Sequence, residues 1–303
     1  MKNETAVILM TYGSATIAEG VREYMQHIYR GNASEEVIKD FENRYRLVGY
    51  SPLIDITKAQ AAQLQKKLGA KFVVRAGMLH SAPFIEDIIA QCKKAGAKKI
   101  VGIILSPQFS SFIMDGYGRT LMLAAQKHGY SEQDVRVAHP WPTEAHFVKL
   151  LCQRIKKSLD KLHELHGKRV PVVFTTHSLP QRVVDKDPNY LKQLAATTKA
   201  VLAALKMPSL EHYSGYQSAG HTPEPWLKPD LTDILEKASK NKARAVLIVP
   251  IQFLADHLEI LFDLDRAASE QCAQRGIAYN RIQLPNTDPL FIDALAAIAK
   301  KTI

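Results

Sequence analysis

The chain has 303 residues, a length that suggests two domains of ordinary size. Hydrophobic residues make up 46% of it and charged residues 23%, which excludes disorder, collagen and coiled coil. Lys and Arg number 40 against 30 Asp and Glu, and the net charge of +10 favours anionic partners. The basic residues are scattered, which argues against nucleic acid. The densest basic patch is interpreted as the solvated face of a helix: Arg154, Lys156, Lys157 and Lys161.

Short apolar runs alternate with longer amphipathic stretches, the pattern of a parallel sheet with crossover helices. The first run, at residues 6–10, is too short for the hydrophobic segment of a signal peptide. Helical spacing of apolar residues predicts helices over residues 58–68 and 83–95. We therefore expect an α/β fold, with strands over residues 6–10, 72–75, 100–105, 170–174 and 245–251.

A weak internal repeat divides the chain. Residues 6–14 resemble residues 171–178, and residues 99–109 resemble residues 244–253, each a buried strand that runs into a polar turn. Two prolines near residue 140 interrupt the pattern before a long helix predicted from Thr143. We therefore predict two similar halves, residues 1–142 and 143–303, with the last helix packed back on the first half.

The cysteines and the apolar runs favour a cytoplasmic protein. Cys92, Cys152 and Cys272 stand far apart with no C-x-x-C spacing, so neither a disulfide framework nor a cysteine metal site is expected. No run approaches the roughly 18 apolar residues of a membrane helix, so no integral membrane contact is expected.

Familiar nucleotide and hydrolase motifs are absent from the sequence. Gly116 and Gly118 form the only G-x-G, and position 121 is Leu rather than a third glycine. There is no P-loop and no G-x-S-x-G elbow. Dinucleotide, P-loop and α/β-hydrolase chemistry are therefore disfavoured.

Polar residues gather at the predicted strand ends. Ligands of parallel sheets bind beyond the carboxyl ends of the strands, so we expect Tyr12, residues 107–112, His177 and residues 250–259 to line one cleft. If residues 258–266 are helical, Glu259 and Asp263 lie on one face, where a cation would relieve their repulsion.

A lone histidine is more often structural than a ligand, but the place of His177 directly after a buried strand favours function. His177 and Glu259 are therefore interpreted as a half-open metal site, suited to ferrous iron or another borderline divalent ion. A third segment, GYQSAGHTPEPWL at residues 215–227, is predicted to be an ordered polar loop before a helix.

These segments resemble those of a known family. TTHSLP at residues 175–180, GYQSAGHTPEPWL at residues 215–227 and ADHLE at residues 255–259 are similar to the signature segments of ferrochelatases. MTYG at residues 10–13, RY at residues 44–45 and SPL at residues 51–53 are similar to the form found in Gram-positive bacteria, the coproporphyrin ferrochelatases. The resemblance runs in order from about residue 6 to about residue 296.

The resemblance implies a metal chelatase, a lyase that inserts ferrous iron into a porphyrin between two Rossmann-like halves, the chelatase fold. It implies no dissociable cofactor, with ferrous iron as a substrate. It assigns His177 and Glu259 to the catalytic and metal-binding pair, and Tyr12 to the porphyrin site as axial ligand of the product iron. It assigns the binding of the porphyrin and its carboxylates to further residues: Tyr29, Arg30, Arg44, Tyr45, Ser51 and Tyr117.

Three positions depart from the family pattern. Tyr29 stands where the family carries a propionate-binding arginine, and Arg30 beside it is the candidate substitute. The acidic row from Glu259 ends after Asp263, the predicted outer metal ligand, because residue 267 is Ala. The tryptophan of the family's G-W-Q-S segment is Tyr216 here.

The expected partners are ferrous iron and coproporphyrin III, in haem biosynthesis, because a basic protein suits a substrate with four carboxylates. Alternatives of the same fold are a protoporphyrin IX ferrochelatase and a cobalt chelatase. A carrier that binds haem or coproheme without catalysis is the alternative from another class, for which Tyr12 alone would suffice. Transient contact with neighbouring enzymes of haem synthesis is left open.

Overall fold

A computed structural model of the chain describes residues 4–220 and 222–303. Its strands are β1 (Thr5–Thr11), β2 (Phe72–Met78), β3 (Lys99–Ile104), β4 (Val135–Val137), β5 (Val172–His177), β6 (His212–Gln217), β7 (Ala245–Pro250) and β8 (Ala278–Arg281). Its α-helices are α1 (Val21–Ile28), α2 (Glu35–Val48), α3 (Leu53–Leu68), α4 (Ile85–Lys94), α5 (Ser111–Lys127), α6 (Ala145–His166), α7 (Gln181–Lys186), α8 (Asn189–Leu205), α9 (Leu231–Lys240), α10 (Ser269–Gln274) and α11 (Pro289–Thr302). Short 3-10 helices lie at Ala18–Gly20 and Glu132–Asp134, and a π-helix spans Ile260–Ala268.

The chain forms two compact units. One contains the described residues up to Trp141 together with Ala255–Leu258 and Asn286–Ile303, and the other contains Pro142–Leu254 and Glu259–Pro285. Within the first unit, α11 packs against α3 and β3. The division into domains at residues 142 and 143 stays a prediction.

Each unit contains one parallel four-stranded sheet. The strand order is β2-β1-β3-β4 in the first unit and β6-β5-β7-β8 in the second. The two orders coincide when β1 is matched with β5 and β3 with β7, which are the pairs that the internal repeat predicts. The α/β class with two similar halves is therefore confirmed.

Four of the five predicted strands, β1, β3, β5 and β7, are the inner strands of the two sheets, whereas the fifth, β2, is an edge strand on which Arg75 is exposed. Residues 6–10 of β1 and all of β7 are buried, because helices cover both sides of a parallel sheet and select continuous apolar runs. All five predicted strands overlap a strand of the structure, and the predicted helices correspond to α3, α4 and α6.

Three strands escaped prediction: β4, β6 and β8. The loop predicted for residues 215–227 is wrong over residues 215–217, which belong to β6. As an edge strand, β6 is rich in polar residues and lacks an apolar run. Gly215 fits there because a Cβ at this position would lie 2.1 Å from Ile234 Cδ1 and 2.8 Å from the Pro229 carbonyl oxygen.

The basic patch on α6 has the predicted exposed character at its three lysines, Lys156, Lys157 and Lys161. Arg154 differs, because its guanidinium donates to the carbonyl oxygens of Gln283 and Leu284. Across residues 4–220 and 222–303, none of the helices has both the length and the apolar composition needed to cross a bilayer.

Candidate active site

In the first unit, the turn after β1 presents an exposed aromatic side chain. Tyr12 follows β1 directly and is 42% exposed. The next residue, Gly13, has a φ of +98°, and a Cβ there would lie 2.5 Å from Ser81 Oγ. Only glycine suits this turn, since both its backbone conformation and its surroundings exclude a side chain. The Tyr24 hydroxyl donates to the Gly13 carbonyl at 2.9 Å and holds the turn in place.

His80 lies beside Tyr12, with ring centroids 4.4 Å apart, and its main-chain N–H donates to the Tyr12 carbonyl at 2.9 Å. His80 Nδ1 also lies 3.1 Å from His27 Nδ1. Burial, and then the charges of His27 and Arg30, lower the pKa of His80 to about 4. Sequence reasoning missed His80, although it closely follows β2, the same strand-end position that drew attention to His177.

Two residues assigned to porphyrin binding are buried beside this turn. Tyr45 is 1% exposed and Ser51 is fully buried. Ser14 Oγ lies 2.8 Å from both Tyr45 Oη and Ser51 Oγ, and the Tyr45 hydroxyl donates to the Ala15 carbonyl at 2.9 Å. The three hydroxyls therefore fix the chain that follows Tyr12. A porphyrin contact for Tyr45 and Ser51 stays a prediction.

Three other assigned residues lie on or directly after α1 and α2. Tyr29 and Arg30 follow α1, where Tyr29 is 44% exposed and Arg30 has a φ of +52°. Arg44 on α2 is ion-paired with Asp40, at 2.8 Å between Nη2 and Oδ2, and its guanidinium lies over the ring of Phe41. A porphyrin carboxylate at Arg44 would therefore compete with Asp40, and all three assignments stay predictions.

Tyr117 is the last residue assigned to the porphyrin in this unit. It lies on α5, is 4% exposed and packs within the core cluster that covers the first sheet. Burial, and to a smaller extent the neighbouring Tyr12, raise the pKa of Tyr117 far above its ordinary value. Its hydroxyl is therefore a proton donor at physiological pH, and its contact with a porphyrin stays a prediction.

In the second unit, His177 ends β5 and lies beside Glu259. The distance from His177 Nε2 to Glu259 Oε2 is 3.7 Å, with side-chain exposures of 28% and 36%. His177 Nδ1 contacts the carbonyl oxygen of Ser178. A carbonyl only accepts hydrogen bonds, so Nδ1 carries the proton of the neutral ring and Nε2 keeps its lone pair. The predicted pair is brought together as one imidazole nitrogen and one carboxylate oxygen, and its role in binding metal stays a prediction.

Glu259 directly precedes the π-helix, where a helix over residues 258–266 is the sequence-based expectation. The structure has a helix there, but its hydrogen bonds skip one residue more than those of an α-helix. Residues four apart then fall just short of one turn, so Glu259 and Asp263 stay on one side. Asp263 accepts a hydrogen bond from the Ser218 hydroxyl, and Ser218 has a φ of +57°.

A second acid fastens the π-helix to the sheet. Asp265 accepts two hydrogen bonds of 2.7 Å from Arg281, whose side chain is only 12% exposed, and a longer one from the Tyr279 hydroxyl. This bidentate, partly buried ion pair fixes the helix relative to β8. This ion pair therefore also restricts movement of Glu259 and Asp263 along β8, because Asp263 lies on the π-helix and Glu259 directly precedes it.

The loops after β5 and β6 are joined to each other. The Leu227 N–H donates to the Leu179 carbonyl at 3.0 Å. Trp226 packs on Gly220, where a Cβ would lie 2.6 Å from the indole Cζ2 atom. His221, in the same segment, lies outside the described residues. In the part of the chain that the structure describes, no three His, Cys, Asp or Glu side chains form a closed metal site.

The sequence is similar to that of known chelatases. A family model described as ferrochelatase matches residues 4–303. A coproporphyrin III ferrochelatase of Geobacillus thermodenitrificans is 34% identical over 311 residues, covering 100% of this chain and 97% of the relative. One of Bacillus subtilis is 32% identical over 310 residues, covering 100% and 99%. A ferrochelatase of Herpetosiphon aurantiacus is 33% identical over 304 residues, covering 98% and 99%.

Solved structures share the fold at low identity. SirB from Bacillus subtilis with Fe3+ superposes with a TM-score of 0.60 at 13% identity, covering 98% of this chain and 95% of SirB. CbiX, described as the terminal enzyme for biosynthesis of sirohaem in denitrifying bacteria, gives a TM-score of 0.56 at 11% identity, covering 99% of each chain. The predicted chelatase fold is therefore confirmed.

Proposed function

This chain belongs to the ferrochelatase family, and we propose that it inserts ferrous iron into coproporphyrin III in haem biosynthesis. The observation that carries the proposal is the His177–Glu259 pair, with Nε2 and Oε2 at 3.7 Å, in a chain similar over its length to enzymes named for this reaction. Ferrous iron and the porphyrin are the substrates, and we propose that no dissociable cofactor takes part.

The chemistry of insertion suits this pair. The free-base porphyrin releases two pyrrole protons, and the ferrous ion sheds water and takes their place among the four nitrogens. The Nε2 lone pair of His177 and the carboxylate of Glu259 can each bind the metal or take up a proton. Two acceptors match the two protons released in each turnover, and we propose these roles for His177 and Glu259.

Tyr12 is proposed to act on the product. Its side chain is exposed at the end of β1, on a turn that glycine and neighbouring hydroxyls hold in place. A phenolate is an anionic oxygen ligand, of the kind that binds the iron of some haem proteins. We propose that Tyr12 ligates the iron of the product, while the removal of pyrrole protons depends on the second unit.

The preference for coproporphyrin III is proposed from charge. The protein carries a net charge of +10, and coproporphyrin III has four carboxylates where protoporphyrin IX has two. Arg44, and Arg30 beside Tyr29, are the proposed partners of these carboxylates. Arg44 already has an acidic neighbour in Asp40, so the porphyrin carboxylate must displace or share that ion pair.

We propose the cytoplasm as the location of this reaction. Cys92, Cys152 and Cys272 are free and buried, which suits a reducing compartment. Burial raises the pKa of Cys92 and of Cys272 to about 11, so these thiols are poor nucleophiles.

One anaerobic experiment tests the proposed function. Catalytic amounts of the protein are mixed with ferrous iron and metal-free coproporphyrin III, and the absorption bands of the metalloporphyrin are followed. We expect many turnovers with coproporphyrin III and fewer with protoporphyrin IX at matched, monomeric concentrations. Cobaltous ion in place of ferrous ion tests the cobalt chelatase. A carrier would bind porphyrin stoichiometrically and leave it unmetallated, which would overturn the proposal.

A further inference from the structure

The main chain of His177 is held by a side chain where the pairing of β5 with β7 ends, while its pairing with β6 continues to Gln217. β5 and β7 pair in parallel as far as Thr175 and Pro250, and the Ile251 N–H donates to the Thr175 carbonyl at 3.0 Å. The next rung of a regular parallel ladder would join the His177 N–H to the carbonyl of Ile251. The His177 N–H donates instead to Gln252 Oε1, at 2.9 Å. The amide side chain thus replaces a main-chain acceptor after β7 leaves the sheet.

A buried tyrosine completes this support. Tyr190 on α8 is 1% exposed, and its hydroxyl oxygen lies 2.8 Å from the His177 carbonyl oxygen and 3.0 Å from Gln252 Oε1. Both neighbouring oxygens only accept hydrogen bonds, so the Tyr190 hydroxyl is the donor in these contacts. Gln252 and Tyr190 therefore bind the N–H and the carbonyl on the two sides of the His177 side chain.

The distance between His177 Nε2 and Glu259 Oε2 is only slightly shorter than the longest distance that one metal ion can bridge. A divalent zinc ion lies about 2.1 Å from a histidine nitrogen and about 2.1 Å from a carboxylate oxygen, so it can bridge atoms up to about 4.2 Å apart. His177 Nε2 and Glu259 Oε2 are 3.7 Å apart, within that limit. A displacement of His177 by roughly 0.5 Å away from Glu259 would cost one of the two bonds. The Ser178 carbonyl orients the imidazole ring, but it cannot hold the main chain of His177 in place.

We propose that Gln252 and Tyr190 are positioning residues, which hold the main chain of His177 so that its Nε2 and the carboxylate of Glu259 bind one divalent ion together. Neither residue touches the metal or the porphyrin. For its place in catalysis the inference rests on the proposed function, whereas the effect on metal affinity can be measured without any porphyrin. Groups that hydrogen-bond the side chains of metal ligands typically change metal affinity by about 10- to 100-fold when they are removed, and we expect an effect of that order for support of the main chain.

Two substitutions and one matched control test the proposal. Gln252→Met keeps the length of the side chain and removes the acceptor, and Tyr190→Phe removes only the hydroxyl. Gln60→Met is the control, because Gln60 is another fully buried glutamine, whose amide donates to the Asn286 carbonyl at 2.8 Å in the first unit. For each variant, zinc affinity is measured by competition titration, thermal stability by calorimetry, and kcat and KM by the anaerobic assay.

We expect Gln252→Met to weaken zinc binding by about 10-fold or more, and Tyr190→Phe by a smaller factor. Both should lower kcat and leave the KM for porphyrin near that of the wild type. Gln60→Met should lower the thermal midpoint while leaving zinc affinity unchanged. The wild type and His177→Ala, titrated in parallel, identify the part of the zinc binding that belongs to this pair.

Wild-type zinc affinity and kcat in a folded Gln252→Met protein would overturn the proposal, since the amide would then serve stability alone. If Gln252→Met does not fold, an unchanged zinc affinity in Tyr190→Phe would overturn it as well. A wild-type protein that binds zinc through His177 but metallates no porphyrin would defeat the proposed function. The comparison of zinc affinities would still decide the role of Gln252 in that case.

Discussion

The ends of β1 and β5 occupy equivalent places in two sheets of the same strand order, yet they carry different chemistry. After β1 come an exposed phenol, Tyr12, and a glycine turn held by buried hydroxyls. At the end of β5 stands His177, with a carboxylate oxygen of Glu259 3.7 Å from its Nε2. Topology decides where a functional side chain stands, and the loop sequence decides what it can do.

The two loops also differ in how they are held. The turn after Tyr12 depends on a backbone that only glycine adopts without strain, at Gly13 with a φ of +98°. The chain at His177 is ordinary strand, and a buried amide and a buried phenol hold it from outside, through Gln252 and Tyr190. We therefore expect substitutions at the second loop to affect metal insertion, and those at the first to affect the porphyrin and the product.

The largest effect is expected for His177→Ala, which removes the nitrogen of the ligand pair. Loss of a positioned proton acceptor typically costs about 10²- to 10⁴-fold in rate, and here a metal ligand is lost as well, so iron insertion should be abolished. His177 is a partly exposed strand-end residue, so the fold and porphyrin binding should remain. Activity is followed by metalloporphyrin absorbance, and folding by circular dichroism. A rate within a few-fold of wild type would show that iron insertion does not depend on His177.

The next effects separate the two carboxylates of the π-helix region. Glu259→Gln should suppress the rate even at saturating iron, because it weakens the ligand pair and removes a proton acceptor. Asp263→Asn should instead raise the iron concentration needed for half the maximal rate, because we predict that Asp263 is the outer metal ligand on the same side of the helix. Both are measured as iron titrations of the initial rate.

Two further variants test the predicted role of Asp263 in iron binding. Ala267→Glu should tighten divalent-ion binding at low ionic strength, because it extends the acidic row. Ser218→Ala removes the hydroxyl that donates to Asp263 and should shift the iron dependence in the same direction as Asp263→Asn, by less. An iron dependence that ignores both Asp263→Asn and Ala267→Glu would mean that iron reaches Glu259 by another route.

In the first unit, Arg44→Ala should weaken binding of coproporphyrin III by about 1 to 3 kcal/mol, the contribution of a charge-assisted hydrogen bond. Fluorescence titration measures the affinity, and a weaker dependence on salt in the variant would identify the lost contact as ionic. Arg46→Ala is the matched control, because Arg46 on the same helix pairs with Glu42 and its side chain is 60% exposed. Equal losses of porphyrin affinity in both variants would mean that Arg44 contributes only through the overall charge of the protein.

Tyr12→Phe should have a smaller effect on the rate than on the product. When the bound product is oxidised to the ferric state with ferricyanide, its absorption spectrum should shift, because the variant lacks the phenolate ligand, while measurable metallation remains. Product release is followed in the same experiment by transfer to a haem-binding acceptor protein. An unchanged ferric spectrum would mean that another residue is the axial ligand of the product iron.

Sequence patterns predicted the parts of this molecule that burial dictates. β1, β3 and β7 are continuous apolar runs, and His177 and Glu259 could be singled out because they lie at or beyond a strand end. The edge strand β6 was missed because its sequence is mostly polar. The π-helix was missed because the extra residue in each of its turns does not show in the spacing of apolar residues. The contacts of Gln252 with His177 and of Ser218 with Asp263 join residues far apart in sequence, which a single sequence does not pair.

The smallest expected effect concerns stability in acid, at His80 beside Tyr12. The pKa of His80 is lowered to about 4 in the folded protein, against an ordinary value of about 6.5 in the unfolded chain. Between these values the unfolded chain binds the extra proton, so the contribution of His80 to stability is complete above pH 6.5 and declines as the pH falls toward 4. Because His80 is only half-buried, solvent reduces this contribution.

His80→Asn replaces the imidazole with a group that does not titrate in this range. The wild type should therefore lose more stability than His80→Asn between pH 7 and pH 4.5, whereas above pH 7 the difference between the two proteins should be constant. Urea unfolding at a series of pH values measures both slopes. Parallel curves throughout would mean that the imidazole beside Tyr12 accepts a proton as readily in the folded protein as in the unfolded chain. The contact with Tyr12 would then be a solvated surface contact, and the turn after β1 would owe its order to Gly13 and the buried hydroxyls alone.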